Sequence, residues 1–312
     1  MEQVVNQKDL EKRIKKEKRK AEFQRNKPLY VLLAPYFILF FVFTVLPVVT
    51  SIFVSFSYFN MLELPTFAGW DNYRKLFFED DVFMVAVKNT FIFAIATGPV
   101  GYLAAFLFAW LVNELKPKVR AFMTLIFYAP SISGGAYIIW KLIFSGDVYG
   151  YLNATLINLG VISEPILWLQ NPKFIPLIII IVQLWMSLGV SFLAFVAGLQ
   201  SVDRSLYEAG AVDGIKNRWQ ELWYITLPSM KPQLMFSAVI QITSSLAIAE
   251  VAMQVAGFPS VENAGHTIVT HLIYHGTTTF ELGYASAIAT VLFVVMLGSN
   301  LLVQKLLRRV GT

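Results

Sequence analysis

No cysteine occurs in the 312 residues, which excludes a disulfide framework and any thiolate metal site. Charge is also scarce: 14% of residues are charged against 56% hydrophobic, and the mean hydropathy is +0.60. So little polar material cannot cover a soluble surface, and the composition points to the membrane class. No Gly-Lys pair occurs, so there is no glycine-rich phosphate loop, and the chain is not expected to hydrolyse ATP or to be an enzyme. Nor do the apolar stretches carry a Ser/His/Asp set or paired carboxylates on which hydrolysis could run. The three histidines fall in one short segment, as His266, His271 and His275. The residues between them lack the glutamate of a zinc-hydrolase motif, and no carboxylate completes a site, so no metal is expected.

What is present is long apolar runs. Six can be read, at 28–62, 89–113, 121–140, 174–199, 232–249 and 282–304. A helix needs about 20 apolar residues to cross the hydrocarbon core, so each run qualifies, the fifth barely. The expected fold is all-α and polytopic, with a basic tail over 1–28 and a transmembrane domain over 29–312. The tail carries ten Lys or Arg, no small-residue cleavage site follows it, and the first run is too long for a signal-peptide core. Six spans with the tail in the cytoplasm place 20 of the 25 basic residues inside, including Lys305, Arg308 and Arg309. Arg74, Lys75, Lys88, Lys141 and Lys173 remain outside. This asymmetry satisfies the positive-inside rule and predicts a cell-membrane protein with both termini cytoplasmic. The net charge of +5 is therefore a topology and anionic-lipid signal rather than a nucleic-acid one.

The connection between the fourth and fifth runs, 200–229, is a polar interruption with strong local signals. Asp203 or Ser201 can cap a first helix, and Asp213-Gly214 supplies a turn that ends it. Asn217 with Gln220 three residues later reads as a capping box for a second helix, which should stop ahead of Pro228. The expected product is a cytoplasmic helix-turn-helix elbow.

Polar groups inside the spans have two uses each. Trp185 can stack on a sugar ring or fill the core. Gln241, Ser244 and Ser245 share a helical face and can hydrogen-bond sugar hydroxyls or bridge helices. Glu250 is an intramembrane acid near the outer end of its run and is the group on which a proton-coupled secondary carrier would rely.

The elbow resembles the Glu-Ala-Ala loop of permease subunits of bacterial ATP-binding-cassette importers. The matching positions are Glu208-Ala209-Gly210, Asp213-Gly214 and Ile225-Thr226-Leu227-Pro228, with Gly210 departing from the usual Ala. Weaker matches are Phe67-Ala-Gly-Trp-Asp-Asn-Tyr73, Asn89-Thr-Phe91, Tyr128-Ala-Pro130, Tyr149-Gly-Tyr-Leu-Asn153 and Gly283-Tyr-Ala-Ser-Ala287. Together they are similar to the carbohydrate-uptake branch. The resemblance implies a coupling helix built on Glu208, Ala209, Gly210, Asp213, Gly214, Arg218 and Pro228 that docks on an ATPase. It also implies a heterodimer with a second permease, two ATPase subunits that bind the ATP, an extracellular or periplasmic solute-binding protein, and a sugar substrate. No cofactor is expected on this chain.

Overall fold

The computed structural model describes residues 7–307, with side chains from 14 to 306. The expectations for Arg308 and Arg309, and for the side chains of Lys8, Lys12 and Arg13, fall outside the described residues. Two units divide the chain, 1–53 and 54–312. In the first, α1 (Gln7–Phe40) runs through a π turn (Phe41–Val45) into α2 (Leu46–Val54). The 28/29 boundary between basic tail and apolar run therefore falls within one helix, as a change of charge and not of fold. None of the residues in the apolar window of Ile14–Val54 is buried.

The second unit opens with a two-residue antiparallel pair, β1 (Ser57–Tyr58) and β2 (Thr66–Phe67). Then follow α3 (Asp71–Phe78), α4 (Asp81–Asn113), α5 (Pro117–Ile132), α6 (Tyr137–Ile143) and α7 (Tyr151–Asn158). Next come α8 (Ile175–Met186), α9 (Val190–Ser201), α10 (Arg204–Val212), α11 (Arg218–Glu221) and α12 (Leu227–Ser229). The last are α13 (Lys231–Leu246), α14 (Glu250–Ala256), α15 (Ile268–Ile273) and α16 (Leu282–Leu307). Among the described residues, four helical stretches are long and apolar enough to cross a membrane, and six if each of two bent pairs is one span.

The bends correct two expected runs. The run at 121–140 is broken between α5 and α6 by 85°. Pro130 has no N–H to give the preceding turn, and the Ser133-Gly134-Gly135 that follows offers no helix propensity to recover it. The fifth run bends by 40° between α13 and α14. The second run starts earlier than expected, because Asp80 accepts a hydrogen bond from the Phe83 N–H at 2.8 Å and caps α4 ahead of the apolar stretch.

The second unit is organised on α4. Its buried residues are Phe83, Ala86, Thr90, Phe93, Thr97, Gly98, Gly101, Ala105, Ala109 and Val112. Apart from the adjacent Thr97 and Gly98, they recur in steps of three and four residues and trace one continuous face along a helix of ~50 Å. That face serves three cores in turn. Phe83 joins Leu76, Ile268 and Ile288, Phe93 joins Ile179, Val182 and Val251, and Ala105 and Ala109 join Phe192, Phe195 and Met230. Small residues dominate its second half, which lets backbones approach closely where lipid gives apolar side chains no drive to associate. The Gln241 amide of α13 donates to the Thr97 carbonyl at 3.3 Å, and the Tyr102 hydroxyl donates to the Leu234 carbonyl at 3.2 Å. Ser191 of α9 and Ser237 of α13 exchange hydroxyl-to-carbonyl bonds at 3.3 and 3.4 Å.

Gly101 sits where this packing is tightest: a Cβ there would lie 2.5 Å from Gln241 Nε2 and 2.6 Å from Ser187 Oγ. Gly101→Ala should therefore destabilise the protein in detergent by about 1–3 kcal/mol through overpacking. In a Gln241→Ala background the same change should cost less, which unfolding of both singles and the double reads as coupling. Strictly additive effects would show that the two groups do not compete for this space.

Candidate functional site

The 200–229 segment has its caps where the residues call for them. The Asp203 carboxylate accepts from the Ser205 N–H at 3.0 Å and starts α10, and this contact holds Asp203 below the usual carboxylate range. After α10 the chain turns at Gly214, whose φ of +93° suits a residue without Cβ, and the Ile215 N–H closes the turn on the Gly210 carbonyl at 2.9 Å. Asn217 Oδ1 accepts from the Gln220 N–H at 2.9 Å to start α11. The reciprocal arm of the capping box lands one residue early, since Gln220 Oε1 accepts from the Lys216 N–H at 2.8 Å.

Pro228 does not end the second helix, contrary to expectation. A π turn (Leu222–Thr226) widens the helix, the Leu227 N–H reaches back five residues to the Leu222 carbonyl, and Pro228 follows inside α12. In the widened register no four-residue bond is demanded of the proline, so its missing N–H breaks nothing. The same order, π turn, Leu, Pro, occurs at Phe41–Val45, Leu46 and Pro47.

The two arms lock together. The Tyr207 and Thr226 hydroxyls share a hydrogen bond of 2.9 Å. Gly210 is buried, and a Cβ on it would lie 2.7 Å from Ile225 Cδ1 and 3.0 Å from Ile215 Cδ1. Gly210 thus faces the chain's own second arm, so its small size serves this internal contact and not a free surface. Arg218 ties the segment to the end of α4, donating to Glu114 at 2.6 Å and Glu221 at 2.7 Å, and Trp219 packs on Trp110 with ring centroids 5.3 Å apart. The Glu221 hydrogen bond, followed by the Glu114 and Glu221 charges, raises the Arg218 pKa. A polar cavity of about 430 Å³ lies beside it, lined by Asn113, Glu114, Arg120, Arg204, Tyr207 and Arg218.

What this frame leaves free is an outer surface. Glu208 and Ala209 are exposed, and no described residue pairs with Glu208. Leu206, Val212, Trp219, Trp223 and Tyr224 of the same segment are exposed as well. Asp213 lies exposed at the turn.

The residues singled out inside the spans are placed differently. Gln241 and Ser245 are each 3% exposed and turned into the α4 contact. The Ser244 and Ser245 hydroxyls donate to carbonyls of their own helix, at Gln241 and Ile242. Trp185 meets Trp140 edge-on with ring centroids 5.6 Å apart. Glu250 is exposed at the first position of α14, just past the bend. Trp168 donates its Nε1–H to Asn153 Oδ1 at 2.8 Å and packs on a core.

Sequence reasoning missed one polar cluster entirely. Asp80, 191 residues before His271, has Oδ2 3.0 Å from His271 Nε2 and accepts from the Tyr284 hydroxyl at 2.6 Å. A carboxylate therefore does meet the histidines, correcting the expectation that none would. The Asp80-Asp81 pair ahead of an apolar run could have been read as a helix cap, but nothing in it names its distant partner.

Residues 97–312 match the family of binding-protein-dependent transport system inner membrane components. The chain is 34% identical to the probable ABC transporter permease YesP of Bacillus subtilis, over 86% of each chain. It is also 34% identical to the lactose transport permease LacF of Rhizobium radiobacter, over 86% of this chain and 89% of that one. A bacterial alginate ABC transporter, solved in complex with a periplasmic protein bound to an alginate pentasaccharide, has the same fold in the matching chain. There the TM-score is 0.75 at 23% identity, covering 94% of this chain and 98% of that one.

Gly210→Val should cost about 1–3 kcal/mol, read as faster hydrogen exchange across 204–226, because the added methyls overlap Ile225. Glu208→Ala should leave stability within about 0.5 kcal/mol. Equal exchange in both variants would mean that Gly210 is not a packing position.

Proposed function

This chain belongs to the inner membrane components of binding-protein-dependent transport systems, and from that premise we propose that it forms half of the translocation path of a carbohydrate importer driven by partner ATPases. The carrying observation is the 200–229 elbow. Gly210, Ile215, Ile225, Tyr207 and Thr226 are used in holding its two arms together, while Glu208 and several apolar side chains of the segment stay exposed. A connector in water has no reason to expose Trp223, Tyr224, Val212 and Leu206 together, whereas a docking helix does. Glu208 would pair with a basic group of the ATPase, and Ala209 would let the helix seat. Gly210, Asp213, Gly214, Arg218 and Pro228 would hold the shape of the elbow from within.

The six-span topology goes with this reading when each bent pair crosses once. The basic residues then put both termini, the α4–α5 connection and the elbow in the cytoplasm. A second, homologous permease would complete the path. The apolar Ile14–Val54 helix is compatible with such a partner, since it needs either lipid or another helix bundle against it. Carbohydrate as cargo rests on relatives such as LacF and the arabinooligosaccharide permease AraP of Bacillus subtilis, 30% identical over 89% of this chain and 87% of that one. Delivery by a solute-binding protein rests on the alginate transporter complex.

In the sugar path, Gln241 and Ser245 act from behind, fixing α13 on α4. Ser244, half-buried on the same helix, and Trp185 are the groups left to meet a hydroxylated ring. Glu250 stands exposed and without a basic partner among the described residues, which gives a proton relay no chain of groups to run through.

Glu208→Ala should leave the permease folded but weaken ATPase co-purification or uncouple hydrolysis from uptake, because removing one partner of a desolvated ion pair costs about 2–5 kcal/mol. Association, substrate-stimulated hydrolysis and vesicle uptake are measured side by side. Unchanged values in all three would reduce the elbow to a connector. Uptake that persists without ATPase and collapses with a proton ionophore would make the protein a Glu250-dependent carrier.

A further inference from the structure

The far end of α4 from the elbow carries the only cluster of metal-ligating groups among the described residues. One ligand atom each from Asp80, His271 and His275 lies within 4.8 Å of the others. His275, in the π turn Tyr274–Thr278, also has Nδ1 2.8 Å from Glu281 Oε2, which brings a second carboxylate to the rim. We infer that Asp80, His271 and His275 bind a divalent transition-metal cation of the zinc type, with Glu281 or water closing the site.

The donor set suits that ion. Two imidazoles and a carboxylate are common zinc ligands, with bonds of about 2.0–2.2 Å, so tetrahedral neighbours stand ~3.3 Å apart. The 3.0 Å between His271 Nε2 and Asp80 Oδ2 needs to open by only a few tenths of an ångström.

The surroundings have the form of an outer shell. His271 is 3% exposed, and its Nδ1 lies 3.0 Å from His266 Nε2, whose own Nδ1 lies 3.3 Å from Thr270 Oγ1. Without an ion, His271 Nε2–H donates to Asp80, so its Nδ1 accepts from His266. With an ion on Nε2, the proton moves to Nδ1 and is donated to His266. Every link is an imidazole or a hydroxyl, so the whole chain can reverse, which gives a metal-bound histidine the second partner it requires. Tyr284 and the Phe83 N–H hold the two Asp80 oxygens in place. A cavity of about 420 Å³, lined also by Asn60, Glu63 and Lys75, comes as far as Glu281 and Tyr284 at the edge of the site.

One group opposes the ion. Lys75 Nζ lies 3.5 Å from Glu281 and 4.5 Å from the Tyr284 ring centre, where it serves as a counter-charge. A bound cation would compete with it, so Lys75 sets the affinity from outside the ligand set. Once loaded, the ion would fasten the start of α4 to α15 and, through Glu281, to the start of α16.

The test uses the intact transporter, purified without a polyhistidine tag, stripped with chelator and desalted, then titrated with Zn2+ alone or with Co2+ as a spectroscopic probe. Wild type should retain one Zn2+ per permease through gel filtration and give the ligand-field absorption of tetrahedral Co2+. His275→Gln and Asp80→Asn should bind at least about 100-fold more weakly, and Lys75→Met, which keeps every ligand, should bind more tightly than wild type. Retention by wild type no greater than by His275→Gln would overturn the assignment. So would a folded Lys75→Met protein that binds no Zn2+, which decides the matter even where the ligand variants fail to assemble. Transport is not the readout, so failure here leaves the proposed importer function standing.

Discussion

The close contact of α4 with α9 and α13 is the constraint on which the rest of the second unit depends. Lipid is as apolar as a leucine side chain, so helices in it are held by packing and by interhelical hydrogen bonds and not by escape from water. α4 meets this with a stripe of Thr97, Gly98, Gly101, Ala105 and Ala109, against which α13 brings Gln241 and Ser245. The same helix carries Asp80 at its start and meets Arg218 through Glu114 just past its end. Two polar assemblies at opposite ends are thereby fixed to one rigid element.

Local chemistry was legible in the sequence. Asp203, Asn217 and Asp213-Gly214 cap and turn the elbow as their side chains and backbone preferences require. Pro228 misled because the rule against proline in a helix assumes a four-residue register, and a π turn removes that assumption. Gly210 could be seen to be small, but not which way it faced; only the return of Ile225 against it settles that. Asp80 and His271 meet across 191 residues, and no periodicity reports such a meeting. Three matching stretches that looked weak singly turn out to hold asparagines that clamp loops. Asn72 donates to the Ser55 and Ser57 carbonyls, Asn89 to those of Asn263 and His266, and Asn153 to those of Ser145, Asp147 and Ile166. Their shared role is to satisfy buried carbonyls where the chain leaves helical structure.

The neutral face read from α13 had two uses, and folding assigns most of it to the helix contact. Gln241 and Ser245 are each 3% exposed and bonded to carbonyls, and they line a mostly apolar cavity of about 570 Å³ together with Gly98, Tyr102 and Ser299. On the proposed sugar path, specificity for a hydroxylated ligand would fall to Ser244 and Trp185, together with whatever a second permease would contribute. The elbow differs in kind. Its bonds run within the segment or, through Arg218, to Glu114 past the end of α4, and Glu208 is left exposed beside them, which is what a surface awaiting a separate subunit requires.

The central claim is that the elbow stands in the cytoplasm, across the membrane from the α6–α8 connection. The absence of native cysteine makes single-cysteine labelling direct. Val212→Cys in the elbow and Tyr149→Cys between α6 and α7 replace side chains that are 88% and 91% exposed. A membrane-impermeant maleimide should label Tyr149→Cys in right-side-out vesicles and Val212→Cys only in inside-out vesicles. Labelling of both from the same side would contradict the account.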